Sequence, residues 1–164
     1  MKRVFIPIVL CLCLVSCGIK QGVSPRLSGI SFSAEIFYYN ETYRCDCSIN
    51  AENELLAVIK IPETLEGFTL TVSSGGVTAE YLGIKYTPTD GNMPFSGLLK
   101  QVYDRLMLVS DSGVAEKRDK TYILSLGEGA DRAELHLAES GLPILLRLPD
   151  ERFYVEFYNV TIKD

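Results

Sequence analysis

One histidine, no tryptophan and fewer basic than acidic side chains (16 against 21) are the first things this 164-residue chain shows. With His136 alone, histidine-based metal centres cannot be assembled, because a zinc site wants several spaced nitrogen or sulfur ligands. No nucleophile elbow accompanies it, so the parts of a conventional active site are missing and an enzyme is not expected. No catalytic residue, metal ligand or cofactor is assigned. Without a basic stripe there is nothing to neutralise phosphates, which argues against nucleic acid. Gly127-Glu128-Gly129-Ala130 lacks the lysine of a phosphate loop and reads as a turn. Asp150-Glu151 reads as loop charge in water. A long apolar run is missing too: Val4 to Val15, interrupted by Pro7, rises roughly 18 Å as a helix, short of the roughly 30 Å of a bilayer core.

That short run has a different use. Lys2 and Arg3 precede it, which is the layout of a secretory signal. Leu14-Val15-Ser16-Cys17, followed by Gly18, resembles the lipobox of bacterial lipoproteins. The resemblance implies cleavage before Cys17 and attachment of lipid to its thiol, with two chains sufficing for stable anchoring. Residues 1–16 are then a signal peptide, 17–30 a lipidated N-terminus and tether, and 31–164 a single domain. Loss of Lys2 and Arg3 takes the net charge from −5 to −7, so the lipid, not charge, is expected to hold the domain at a membrane. The expected location is the outer face of a cell membrane, or an outer membrane if the host has one. The sequons at Asn40 and Asn159 are read as chance matches in a bacterial chain. A monomer is expected.

Of the five cysteines, Cys11 and Cys13 leave with the signal and Cys17 takes the lipid. Cys45 and Cys47 are two apart in a strand-like run and point to one face. Parallel side chains resist a short disulfide, so two reduced, half-buried thiols are favoured. A strained or intermolecular disulfide and a metal site are the alternatives.

Ile19 to Gly29 is polar and carries glycine, serine and proline, like a tether. Alternation then predicts strands at Ser31–Tyr39, Thr42–Ile49, Leu55–Ile61, Phe68–Val72, Val77–Leu82 and Ile84–Thr87, with Pro62 ending the third and Ser73-Ser74-Gly75-Gly76 making a hairpin. After Pro94 the period changes. Phe95, Leu98, Leu99, Val102, Tyr103 and Leu106 fall three and four apart, the spacing of an amphipathic helix. Ser110–Lys120 is a charged connection with some strand character near Val114. Strands return at Tyr122–Leu126, Ala133–Leu137, Ile144–Leu148 and Phe153–Ile162. His136 alternates with Leu135 and Leu137 and belongs on the wetter face.

Four local features, in order along the chain, resemble the family of the lipoprotein carrier LolA and related envelope lipoproteins. They are Phe32-Ser33-Ala34-Glu35, Ile61-Pro62-Glu63-Thr64-Leu65, Gly141-Leu142-Pro143 and Val155–Asn159. The resemblance implies a mainly β (α+β) fold, an antiparallel sheet curved into an incomplete barrel with one amphipathic helix over the concave face. It also implies a cavity for acyl chains, which Phe95, Leu98, Leu99, Val102 and Leu106 would line. The resulting functional expectation is a non-enzymatic module binding lipid or another apolar ligand. The alternative is an envelope interaction or sensor protein that binds another protein. Whether apolar surface is enclosed or displayed separates the two.

Overall fold

In the computed structural model, residues 22–88, 93–111, 114–129, 132–148 and 152–163 are described. The signal segment, the lipobox and Cys17 lie outside them, as do Asp150 and Glu151. The strands are β1 (Gly22–Val23), β2 (Ile30–Tyr38), β3 (Glu41–Ile49), β4 (Leu55–Ile61), β5 (Thr69–Ser73), β6 (Gly76–Tyr81) and β7 (Ile84–Tyr86), then, after the helix α1 (Pro94–Met107), β8 (Ala115–Arg118), β9 (Thr121–Leu126), β10 (Ala133–Leu137), β11 (Pro143–Leu148) and β12 (Phe153–Ile162). They form one antiparallel sheet in the order β1-β8-β9-β10-β11-β12-β2-β3-β4-β5-β6-β7. Among the described residues the protein is thus mainly β with one α-helix.

The alternation in the sequence sets the faces. Ile30, Phe32, Ala34 and Ile36 of β2 and Tyr43, Cys45, Cys47 and Ile49 of β3 are buried, and the residues between them turn outward. The same phase holds in β9 to β12, where Leu124, Leu135, Leu146 and Val155 are fully or almost fully buried. These side chains and the apolar stripe of α1 form one core cluster. Each pleat sends alternate residues to one side, so a period-2 pattern is what a sheet with one covered face requires.

Pro94 opens α1, where its missing N–H costs nothing. The Ser96 side chain donates to the Met93 carbonyl at 2.7 Å. Lys100 and Asp104 pair one turn apart on the wetter side at 2.6 Å. The helix packs on β5 and β6. Its first turn reaches β3 through Phe95, whose ring stacks on Tyr43 with centroids 4.7 Å apart.

The described half of the expected tether, residues 22–29, behaves as part of the fold. Gly22 and Val23 pair with Glu116 and Ala115 of β8. Arg26 N–H donates to the Gly141 carbonyl at 2.9 Å, and Ser28 Oγ donates to the Asn50 carbonyl at 3.3 Å. Val23 and Leu27 pack against the core. A composition rich in Gly, Ser and Pro reads as linker, yet backbone groups and two apolar side chains are enough to seat it as a strap. Gly141 makes room for the strap: its φ is +83°, and a Cβ there would lie 2.4 Å from the Ser24 carbonyl oxygen. The charged connection before Lys120 contains β8, directly after Val114 where some strand character is expected, although Glu116, Lys117 and Arg118 carry no apolar alternation.

The register defines two ends of the sheet. The strap crosses one, beside the β3–β4 turn and the β10–β11 turn. The other, the hairpin end, holds the β2–β3 turn at Tyr39-Asn40 and the β6–β7 turn at Leu82-Gly83.

Candidate functional site

The five helix residues expected to line a cavity are brought together, but into packed core. Phe95 and Leu99 are 1 % exposed, Val102 3 %, Leu98 6 % and Leu106 1 %. A concavity of about 630 Å³ opens between the strap and the second half of α1. Leu27, Tyr103, Leu106 and Met107 border it, with Glu52 and Lys100 among its polar residues. A smaller one, about 350 Å³, lies against β2, β3 and β4 and includes Ser33, Asp46 and Val58. Of the five helix residues only Leu106 borders either.

Apolar surface is displayed elsewhere. Leu82 is 84 % and Ile84 71 % exposed, and Tyr81 and Tyr86 are partly exposed beside them. β7 ends the strand order, and no further strand covers it among the described residues. Ile84 and Tyr86 pair with Tyr81 and Ala79, so they lie on the same face as the buried Ala79 but beyond the part that α1 covers. Lys85, between them, turns to the outer face and pairs with Glu80 at 3.3 Å. Tyr81 stacks on Phe68 with centroids 4.3 Å apart. The Tyr86 hydroxyl reaches the Met93 sulfur at 3.6 Å, which ties β7 to the start of α1. Edge strands present unpaired backbone groups and are usually shielded by charge or cover. Here Lys85 is the one charge in β7.

The sequence points to an apolar margin only weakly. Val77–Leu82 was expected to be strand throughout. In the structure Leu82 (φ 51°) and Gly83 (φ 81°) form the turn, matching the left-handed pair of a tight hairpin. A leucine is an unusual occupant of that conformation, which favours Gly and Asn. A Leu-Gly pair between two short alternating runs was the available signal.

The remaining polar groups explain themselves within the fold. Cys45 and Cys47 are buried thiols, with the Cys47 thiol donating to Cys45 Sγ at 3.4 Å. That hydrogen bond, then burial, hold the Cys47 thiol well above its usual pKa. They are more deeply buried than the sequence indicates, inside the core cluster that the sheet shares with the helix stripe. Burial pushes Tyr43 up to about 12, helped by its hydrogen bond to Glu41 and that carboxylate's charge. His136 stands on the outer face, where burial lowers its pKa and outweighs Glu134, whose carboxylate lies 3.8 Å from Nε2. Among the described residues no cluster of three or more His, Cys, Asp or Glu side chains could hold a metal. No helix among them is long and apolar enough to cross a membrane.

No family model, curated protein or solved structure matches the chain.

Proposed function

We propose that this is a lipid-anchored envelope protein, held by Cys17, whose domain binds another protein through the β6–β7 margin. The observation that carries the reading is the contrast in exposure: the stripe of α1 is 1–6 % exposed from Phe95 to Leu106, whereas Ile84 is 71 % exposed on an edge strand that has no neighbour on its outer side among the described residues. A partner of fitting chemistry is an extended segment laid along β7. It would carry apolar residues at alternate positions against Ile84 and Tyr86 and an acidic residue near Lys85. Main-chain hydrogen bonds give such strand addition its affinity and alternate side chains its specificity. Pairing of two copies in the register that places Ile84 against Tyr86 would bring Lys85 opposite Lys85, an unfavourable like-charge contact.

The half-barrel of the LolA family is the fold reading we favour for this sheet. Supporting it are the return of β12 to lie beside β2 and the insertion of α1 between β7 and β8. A lipid-binding role remains the competing reading, favoured by the concavity beside Leu106 and Met107, which has the size of a small-molecule site. Native mass spectrometry of the protein extracted from membranes separates the two. The expected mass is that of the chain with its covalent lipid alone. A further, non-covalent acyl-chain mass lost on filling the concavity by Leu27→Trp would overturn the protein-binding reading.

A further inference from the structure

We infer that the outer face of the sheet carries a weak binding site for an uncharged saccharide, in a hollow between β12 and β4. The site stands apart from the β7 edge and from the concavity beside α1, and it depends on neither.

The register builds the hollow. Two rows of side chains cross β12, β2, β3 and β4 on the face turned away from the core. One row is Thr161, Ser31, Ser48 and Leu56, and the other is Tyr158, Ser33, Asp46 and Val58. The serines are short, so they leave a floor between larger side chains on either flank. That floor underlies the concavity of about 350 Å³, at the small end of the range for ligand sites. β12 shifts register between Tyr158 and Thr161, and Asn159 takes φ 52° there. Such a bulge re-aims side chains, and here Asn159 borders the hollow, with Lys163 beside it.

The chemistry of the lining selects the ligand. Asp46 would repel an anion. Lys60, 3.6 Å from that carboxylate, and Lys163 would repel a cation. An uncharged ligand that both donates and accepts hydrogen bonds meets neither penalty. The Asp46 carboxylate accepts from Ser33 Oγ at 3.0 Å, and its side chain is 58 % exposed, which leaves acceptor positions for ligand hydroxyls. Asn159 offers a donor and an acceptor on one amide. On the opposite flank Leu56, 41 % exposed, and Val58 give an apolar margin for the C–H face of a pyranose ring.

A second observation marks the floor as incomplete. Ser31 Oγ is shut off from solvent and has no hydrogen-bond partner among the described residues. A polar group left unmet costs stability. A change of the Ser31 rotamer would offer that hydroxyl to a ligand seated in the hollow. Hydroxyls around a ring with an apolar face are the mark of a sugar, and the anchor proposed for Cys17 would put the domain among the glycans of the envelope.

The test uses full-length protein extracted in a detergent without a sugar headgroup. Saturation-transfer NMR is run with the methyl glycosides of glucose, galactose and N-acetylglucosamine in turn. The expected result is transfer to at least one of them, with a dissociation constant on the order of 1 mM for so open a site. Asp46→Ala, which removes the exposed carboxylate, should weaken binding about ten-fold. Ser48→Tyr, which fills the hollow, should abolish it, and Leu27→Trp in the other concavity should leave it unchanged. The unfolding midpoint of each variant establishes that it is folded. Transfer to none of the three sugars, transfer that persists unweakened in either folded hollow variant, or transfer lost in Leu27→Trp overturns the site. Displacement of the sugar by inorganic phosphate would make the hollow an anion site and overturns the inference too.

Discussion

Two apolar surfaces of this protein meet opposite fates. On α1, Phe95, Leu98, Leu99, Val102 and Leu106 face the sheet and are withdrawn from water. At the β6–β7 margin, Leu82, Ile84 and the tyrosines on either side of them are of the same chemical kind, yet they stay in contact with it. The difference is geometric. A fourteen-residue helix presents a continuous stripe that one sheet face can cover. β7 has three residues and ends the sheet, so part of its inner face lies past the reach of the helix. The first surface holds the fold together, and the second is left over for something else.

Mutations should therefore separate the two surfaces. Phe95→Ala removes a fully buried ring stacked on Tyr43 and is expected to cost about 3–5 kcal/mol in chemical unfolding. Partner binding by the fraction that remains folded should be unchanged. Gly141→Ala, which forces a Cβ against the strap from a left-handed backbone, is expected to cost roughly 2–4 kcal/mol. It should also make residues 22–29 open to proteolysis. Gly97 is exposed in α1 with open space around its Cα. Gly97→Ala should thus stabilise the protein by about 0.5–1 kcal/mol, showing that the helix is fixed by its buried face alone. Ile84→Thr keeps the branched strand shape and should move stability by less than about 0.5 kcal/mol, while weakening partner binding. A large loss of stability would instead make the margin part of the core.

The smallest effect concerns pH. His136 is held below its ordinary pKa of about 6.5, so the unfolded chain takes up the proton first as pH falls below that value. Stability contributed by the neutral ring is present above it and declines on acidification. His136→Gln should flatten the unfolding midpoint between neutral pH and the onset of carboxylate protonation.

How much of this the sequence shows depends on the element. Ala133–Leu137 and Phe153–Ile162 are strands with the expected bounds, and α1 extends the Phe95–Leu106 pattern by one residue at each end. Long periodic segments report the face they bury. The strap was not legible, because Gly22 to Gly29 is seated by its main chain and by Val23 and Leu27, and pattern carries little of that. β8 is edge-like and charged, so its pairing with β1 was equally hidden. The apolar margin is not marked in the pattern, because exposure at a sheet's end depends on where the helix stops. Periodicity identified the residues of α1 but could not say whether the space beneath them was open or filled.

The most direct test of the account is photo-cross-linking in intact envelope membranes, with a benzophenone amino acid placed at Tyr86 or at Val102. The account predicts a discrete protein adduct from position 86, lost when Ile84→Thr is added, and only intrachain products from position 102. Acyl-chain adducts from position 102, with none to protein from position 86, would contradict it and return the function to a lipid cavity beneath α1.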